Sequence, residues 1–215
     1  LIFFTTADNE NLLHDHLFKH NLYMSGGEGM NMTNTNSTIS NVYDSRVRPV
    51  HDFHDSVNTT FSLKINSLEF FKQPEEKIKF NVELDLYWKD QLLTWDPINF
   101  NNATSINLDP KEIWKPDIEL YNSGDYPEIW TKKTSANLKY DGSIYWSIPM
   151  LFTFSCELKL ENFPFDSQKC SMTFGSWKFN KGYLDIRVIN ETLLQKSIIN
   201  YDGFKHNEWD IVSAT

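Results

Sequence analysis

The chain has 215 residues, and its formal charge of -9, with a pI near 5.1, leaves no lysine and arginine stripe that could displace counterions from a phosphate backbone. Nucleic acid is thereby excluded as a partner, and a cationic one is favoured. Hydrophobic residues at 40% and aromatic residues at 15% can build the core of one large domain, while 23% charged residues and a mean hydropathy of -0.48 describe a wet surface. No run of about 18 apolar residues is present, so no membrane span is expected within the chain.

The opening residues 1–7, "LIFFTTA", are similar to the tail of a signal peptide, although a basic start is missing, and they stay outside the fold argument. A domain is expected over residues 8–215. In "DNENLLHDHLFKHNLY" the residues Leu12, Leu13, Leu17, Phe18 and Leu22 recur at helical spacing, which predicts one amphipathic helix capped by Asp8 or Asn9. Residues 24–41, rich in Gly, Ser, Thr and Asn, read as an exposed insertion. Acceptor sequons for N-glycosylation start at Asn31, Asn36, Asn58, Asn102 and Asn190, and their number favours a secreted protein or an ectodomain.

Strand-like patterning follows. In "IKFNVELDLYW" Ile78, Phe80, Val82, Leu84, Leu86 and Trp88 alternate with polar residues and Tyr87, as a half-buried strand requires. Asp141-Gly142 between two β-prone runs predicts a tight hairpin. Further strands are expected in "FSLKIN", "FTFSCEL", "CSMTFGSWKF", "YLDIRVI" and "EWDIVSA". Many short strands separated by turns describe an all-β sandwich.

Thirteen residues separate Cys156 from Cys170, the two cysteines of the chain. A disulfide closing a loop of about 15 residues would stabilise the fold by roughly 3 kcal/mol. A staple is therefore the simplest reading. An immunoglobulin-type bridge between opposed sheets would need several intervening strands, and a zinc site would need more ligands. A staple leaves the tip unexplained: Phe163, Pro164 and Phe165, followed by Asp166, place apolar side chains in a short ring with little reach to the domain's core, as at a contact surface. The histidines His14, His16, His20, His51 and His54 complete no ligand set, and no catalytic or cofactor motif is present. Neither an enzyme nor a cofactor is expected.

The cysteine spacing with "FPFD" and Gln168 resembles the signature ring of the Cys-loop, or pentameric ligand-gated, receptors. "WKPDIELYN" (114–122) resembles the first binding loop of nicotinic subunits, "GSW" (175–177) the second, "RVRPV" (46–50) the segment before the first strand, and "YLDI" with "EWDIV" two later strands. The resemblance implies an immunoglobulin-like, ten-stranded-type β-sandwich with an N-terminal helix, assembled in fives as a homo- or heteropentamer. An acetylcholine-like cationic small molecule would bind between subunits.

The resemblance also implies roles. Tyr121 and Trp177 would form the principal wall of an aromatic box, with Asp117 bracing Ser176 and the second loop. By composition alone these two rings would be core aromatics; the motif context moves them to a site, whereas Trp88, Trp95, Trp114 and Trp146 are assigned to packing. On the complementary wall, Glu83 stands where many nicotinic relatives carry Trp, beside the polar Asn137, Tyr145 and Ser147. The sequence ends at "EWDIVSAT", before the family's loop C and last strand. An apolar Cys ring fits docking against a transmembrane domain, which implies a channel subunit on the extracellular side of the plasma membrane. The alternative is a secreted acetylcholine-binding protein without a pore.

Overall fold

A computed structural model describes residues 13, 14, 16–18, 43–125, 128, 129, 134–163, 165–189 and 209. Among them are nine strands: β1 (Val57–Lys72), β2 (Lys77–Lys89), β3 (Ser105–Leu108), β4 (Glu119–Leu120), β5 (Glu128–Ile129), β6 (Ala136–Lys139), β7 (Ser143–Ser155), β8 (Phe174–Gly175) and β9 (Leu184–Val188). Seven of these make one sheet in the order β3-β6-β7-β2-β1-β9, with β5 also paired to β7, and β4 and β8 make a second sheet. The arrangement is the expected β-sandwich. Phe174 of the small sheet reaches Phe61 and Phe152 of the large one, with ring centroids 5.2 and 5.8 Å apart.

Alternation explains the central strands. β2 buries Ile78, Val82, Leu84, Leu86 and Trp88, and it pairs with β7 in unbroken register from Lys77↔Ser155 to Lys89↔Ser143. β1 buries Val57, Phe61, Leu63 and Ile65 and then Leu68; this change of parity coincides with a register shift between Ile65 and Ser67, where a bulge turns the following side chains over. The Asp141-Gly142 hairpin joins β6 to β7 as predicted. Gly142 has φ +83°, and a side chain there would overlap the Asp90 carbonyl, so both conformation and space require glycine. Two predicted strands are shorter than expected. From Cys156 the chain leaves β7, with the Cys156 amide donating to Glu76 O at 2.8 Å, and in "CSMTFGSWKF" only Phe174–Gly175 pairs. Side chains take the flanking amides there: Asn122 Oδ1 accepts from Thr173 N, and Asp117 accepts from Trp177 N and Lys178 N.

Leu13, His14, His16, Leu17 and Phe18 are helical, with Leu13 wholly buried. Leu12, Leu22, residues 1–7 and the 24–41 insertion lie outside the described residues, as does the "EWDIVSA" strand apart from Trp209, whose ring packs 4.7 Å from Phe71. Trp88, Trp95, Trp114 and Trp146 are all buried, as their assignment to packing requires.

One buried carboxylate ties the top of the sandwich together. Asp90 is fully buried; its Oδ2 accepts from Tyr43 Oη at 2.7 Å, and its Oδ1 accepts from Leu92 N and Leu93 N at 2.9 and 3.1 Å. The Tyr43 hydroxyl in turn accepts from Trp114 N at 2.8 Å. Burial pushes the Asp90 carboxyl up to about 6, against the pull of these donors and of His51. Since the folded value lies above that of the unfolded chain, protonation favours folding, and the contribution present below about pH 4 is lost as pH rises through 6. Relative to Asp90→Asn, which does not titrate, the wild-type protein is expected to lose about 3 kcal/mol of unfolding free energy between about pH 4 and 7.5 in denaturant titrations. A pH-independent difference would contradict the role given to Asp90.

Candidate functional site

The small sheet exists to hold two loops against each other. β4 delivers Tyr121 directly after Leu120, and β8 delivers Ser176 and Trp177 directly after Gly175. Asp117, which lies before β4 with its side chain only 10% exposed, reaches across. Its Oδ2 accepts from Ser176 Oγ at 2.7 Å and from the amides of Trp177 and Lys178, both at 2.9 Å. Ser176 Oγ accepts in turn from Lys178 N and Phe179 N. The segment after β8 is thus wound around two side-chain oxygens, with its amides satisfied without a partner strand.

Tyr121 and Trp177 meet at the surface. Their ring centroids are 4.7 Å apart at an interplanar angle of 52°, and the Tyr121 hydroxyl donates to Ser176 O at 2.8 Å. Trp177 is 73% exposed and Tyr121 44%, in contrast to the four buried tryptophans. Such a pair keeps ring faces open to solvent, and ring faces attract cations. Lys178 Nζ, the positive group nearest this pair by sequence, lies 3.8 Å from Asp117 Oδ1, where the carboxylate offsets its charge.

The other expected ligand-binding residues lie on the large sheet. Ser147 Oγ donates to Glu83 Oε1 at 2.9 Å, and Lys64 Nζ approaches Glu83 Oε2 at 3.5 Å. Tyr145 Oη donates to Asp85 Oδ1 at 3.0 Å and stacks on Tyr87 with centroids 4.9 Å apart. Burial and the Asp85 charge hold the Tyr145 hydroxyl up at about 12, against the pull of Ser147. Asn137 donates to Asn107 Oδ1 at 3.1 Å. Glu83, Tyr145 and Ser147 therefore form a connected polar face, on a different sheet from Tyr121, Ser176 and Trp177.

The Cys156–Cys170 disulfide is present, and the ring it closes keeps its apolar tip outside while Leu158 packs against the core. Phe165 is 93% exposed and Phe163 63%, with Leu160 also exposed. Gln168 pins the two arms of the ring by accepting from Lys159 N and donating to Lys159 O, both at 2.9 Å, and by donating to Asp166. Pro164 lies outside the described residues. Of the sequon asparagines, Asn58 and Asn102 are exposed, while Asn31, Asn36 and Asn190 lie outside the described residues.

Residues 32–215 match the family described as "Neurotransmitter-gated ion-channel ligand binding domain". The chain belongs to that family. This ligand-binding domain is 38% identical over 175 residues to "Neuronal acetylcholine receptor subunit alpha-6" of Rattus norvegicus, a match covering 80% of the chain and 34% of the relative. It is 36% identical over 173 residues to the alpha-2 subunit of Rattus norvegicus, covering 80% of the chain and 33% of that relative. The alpha-3 subunit of Carassius auratus is 36% identical over 172 residues, with the same coverage. The chain spans about a third of the length of these relatives, all of them named as receptor subunits.

Sequence reasoning missed three members of this ligand-binding domain's polar framework. Asp85 and Lys64, which partner Tyr145 and Glu83, sit at solvent-side positions of β2 and β1 that alternation alone assigns to the surface. Asn122 lies inside the quoted first-loop motif, but its role appears only in its partners: Nδ2 donates to Ser171 O at 2.7 Å and Ser155 O at 3.4 Å.

Gly175 is the other silent participant. A Cβ there would lie 2.5 Å from Tyr121 Cζ, so the tyrosine ring crosses β8 only because the position is glycine. Gly175→Ala is expected to push that ring off Trp177, destabilising the domain by roughly 1–3 kcal/mol and reducing its near-ultraviolet circular dichroism. An unchanged spectrum and denaturation midpoint would contradict the packing described.

Proposed function

We propose that this chain is the agonist-binding part of a nicotinic-type, cation-selective pentameric channel subunit, with Tyr121 and Trp177 as the principal wall for a cationic amine. The observation that carries the reading is the exposed pair of rings 4.7 Å apart, fixed from behind by Asp117 through Ser176 and the amides of Trp177 and Lys178. Each ring face offers a quaternary or protonated amine on the order of 0.5–2 kcal/mol, and two converging faces act together. The net charge of -9 adds a favourable long-range field for such a ligand. The relatives' printed names, all acetylcholine receptor subunits, support the same ligand class.

On this reading the domain sits on the extracellular side of the plasma membrane, in a ring of five like or related subunits. Glu83, Tyr145 and Ser147 face the neighbouring subunit's box. The ligand there would meet a carboxylate already engaged by Lys64 and Ser147 rather than an indole. Phe163, Phe165 and Asp166, with Pro164, form the coupling tip toward a transmembrane domain. The exposure of both phenylalanines supports a channel over the second reading, a secreted acetylcholine-binding protein with no membrane beneath it.

Calorimetry with acetylcholine or nicotine tests the proposal on a version extended through a tenth strand, alone and together with other nicotinic subunits. Binding is expected, and Trp177→Ala is expected to weaken it roughly tenfold or more. No binding in any combination, or an unchanged affinity in Trp177→Ala, would overturn the reading.

A further inference from the structure

An open groove of about 520 Å³ lies away from the aromatic box, on the solvent face of the large sheet. The stacked pair Tyr87 and Tyr145, 4.9 Å apart and only 28° from parallel, lines it together with Asn137, Lys139 and Ser143. Asn58 lines it too, and Asn58-Thr59-Thr60 is an acceptor sequon. Strand alternation sets the direction: Val57 and Thr59 are buried in the core, so Asn58 and Thr60 turn to the groove side. Register sets the distance, since Thr60 pairs with Tyr87 across β1 and β2, and Tyr87 pairs with Tyr145 across β2 and β7.

From this juxtaposition we infer that an N-linked glycan on Asn58 lies in the groove, its first N-acetylhexosamine stacked on the face of Tyr87 that Tyr145 leaves open toward β1. A pyranose ring presents an apolar face of C–H groups that packs well on aromatic faces. Its acetamide and hydroxyl groups find donors and acceptors in Asn137, Ser143 and Lys139, which line the same groove. Attachment at the groove's edge makes the contact intramolecular, so weak individual interactions suffice to hold it. Transfer from a lipid-linked diphosphate donor forms the C1–Nδ2 bond, breaks the C1–O bond to the diphosphate and passes one Nδ2 proton to the transferase's base. It takes place on the unfolded chain, so the burial of Thr59 in the finished strand is no obstacle.

Tyr145, assigned above to the complementary wall, lies behind Tyr87 in the stack, so the glycan borders that wall without covering it.

The glycan itself is tested without agonist. The chain is secreted from eukaryotic cells, and peptide mass spectrometry is expected to find Asn58 occupied. Tetranitromethane then reports tyrosine access in the glycosylated protein, in the same folded protein after peptide N-glycosidase, and in Asn58→Gln and Thr60→Ala. Tyr87 is expected to nitrate several-fold faster in all glycan-free forms, while Tyr121, on the other sheet, keeps its rate. An unmodified Asn58, or an equal rate at Tyr87 with and without the glycan, would overturn the inference. Because no ligand is involved, either outcome leaves the aromatic box to be judged separately by calorimetry.

Discussion

The carboxylate of Asp117 takes hydrogen bonds from Ser176 Oγ and from two consecutive amides, those of Trp177 and Lys178, and the candidate site hangs on this one group. A segment of Gly, Ser and Trp has little intrinsic reason to hold a large aromatic ring in the open. Left alone, its amides would seek a partner strand or water, and the indole would turn inward. Because a mostly buried anion satisfies the amides, the backbone stops pairing after Gly175 and turns, and Trp177 emerges next to Tyr121.

The same small sheet is tied mechanically to the disulfide ring. Tyr121 N donates to Thr173 O, and its neighbour Asn122 bonds Thr173 N, Ser171 O and Ser155 O, reaching the residues beside both Cys156 and Cys170. A displacement of Tyr121 would be felt at both arms of the ring through its own amide and through the side chain of the adjacent Asn122. Gln168 keeps those arms together. Asp90 plays a comparable part at the hairpin end, where it fastens Tyr43 and the β2–β3 connection next to Gly142.

How much of this was legible in the sequence depends on whether the controlling partner lay nearby. β2 was readable because one face is apolar over its length, and the β6–β7 hairpin because Asp141-Gly142 fixes its own turn. In β1 the bulge after Ile65 reverses the inward parity, so simple alternation loses the strand there. "CSMTFGSWKF" has strand-like composition, yet it pairs over two residues only, since Asp117 and Asn122, 60 and 51 residues away, take the flanking amides. The pairing of Tyr121 with Trp177 was visible through motif resemblance alone, because composition would have placed both rings in the core. Nothing local marks Asp90 as a buried acid, or Gly175 as the space for a tyrosine ring. Both roles are set by what the fold brings alongside.

Asp117 is proposed to act on a cationic ligand through the position of Trp177. A double-mutant cycle on tetraalkylammonium affinity tests it most directly, using Asp117→Ala, Trp177→Ala and the double variant in the extended domain. Strong non-additivity is expected, with removal of Asp117 weakening binding markedly when Trp177 is present and hardly at all when it is already gone. Two independent, fully additive losses would contradict it.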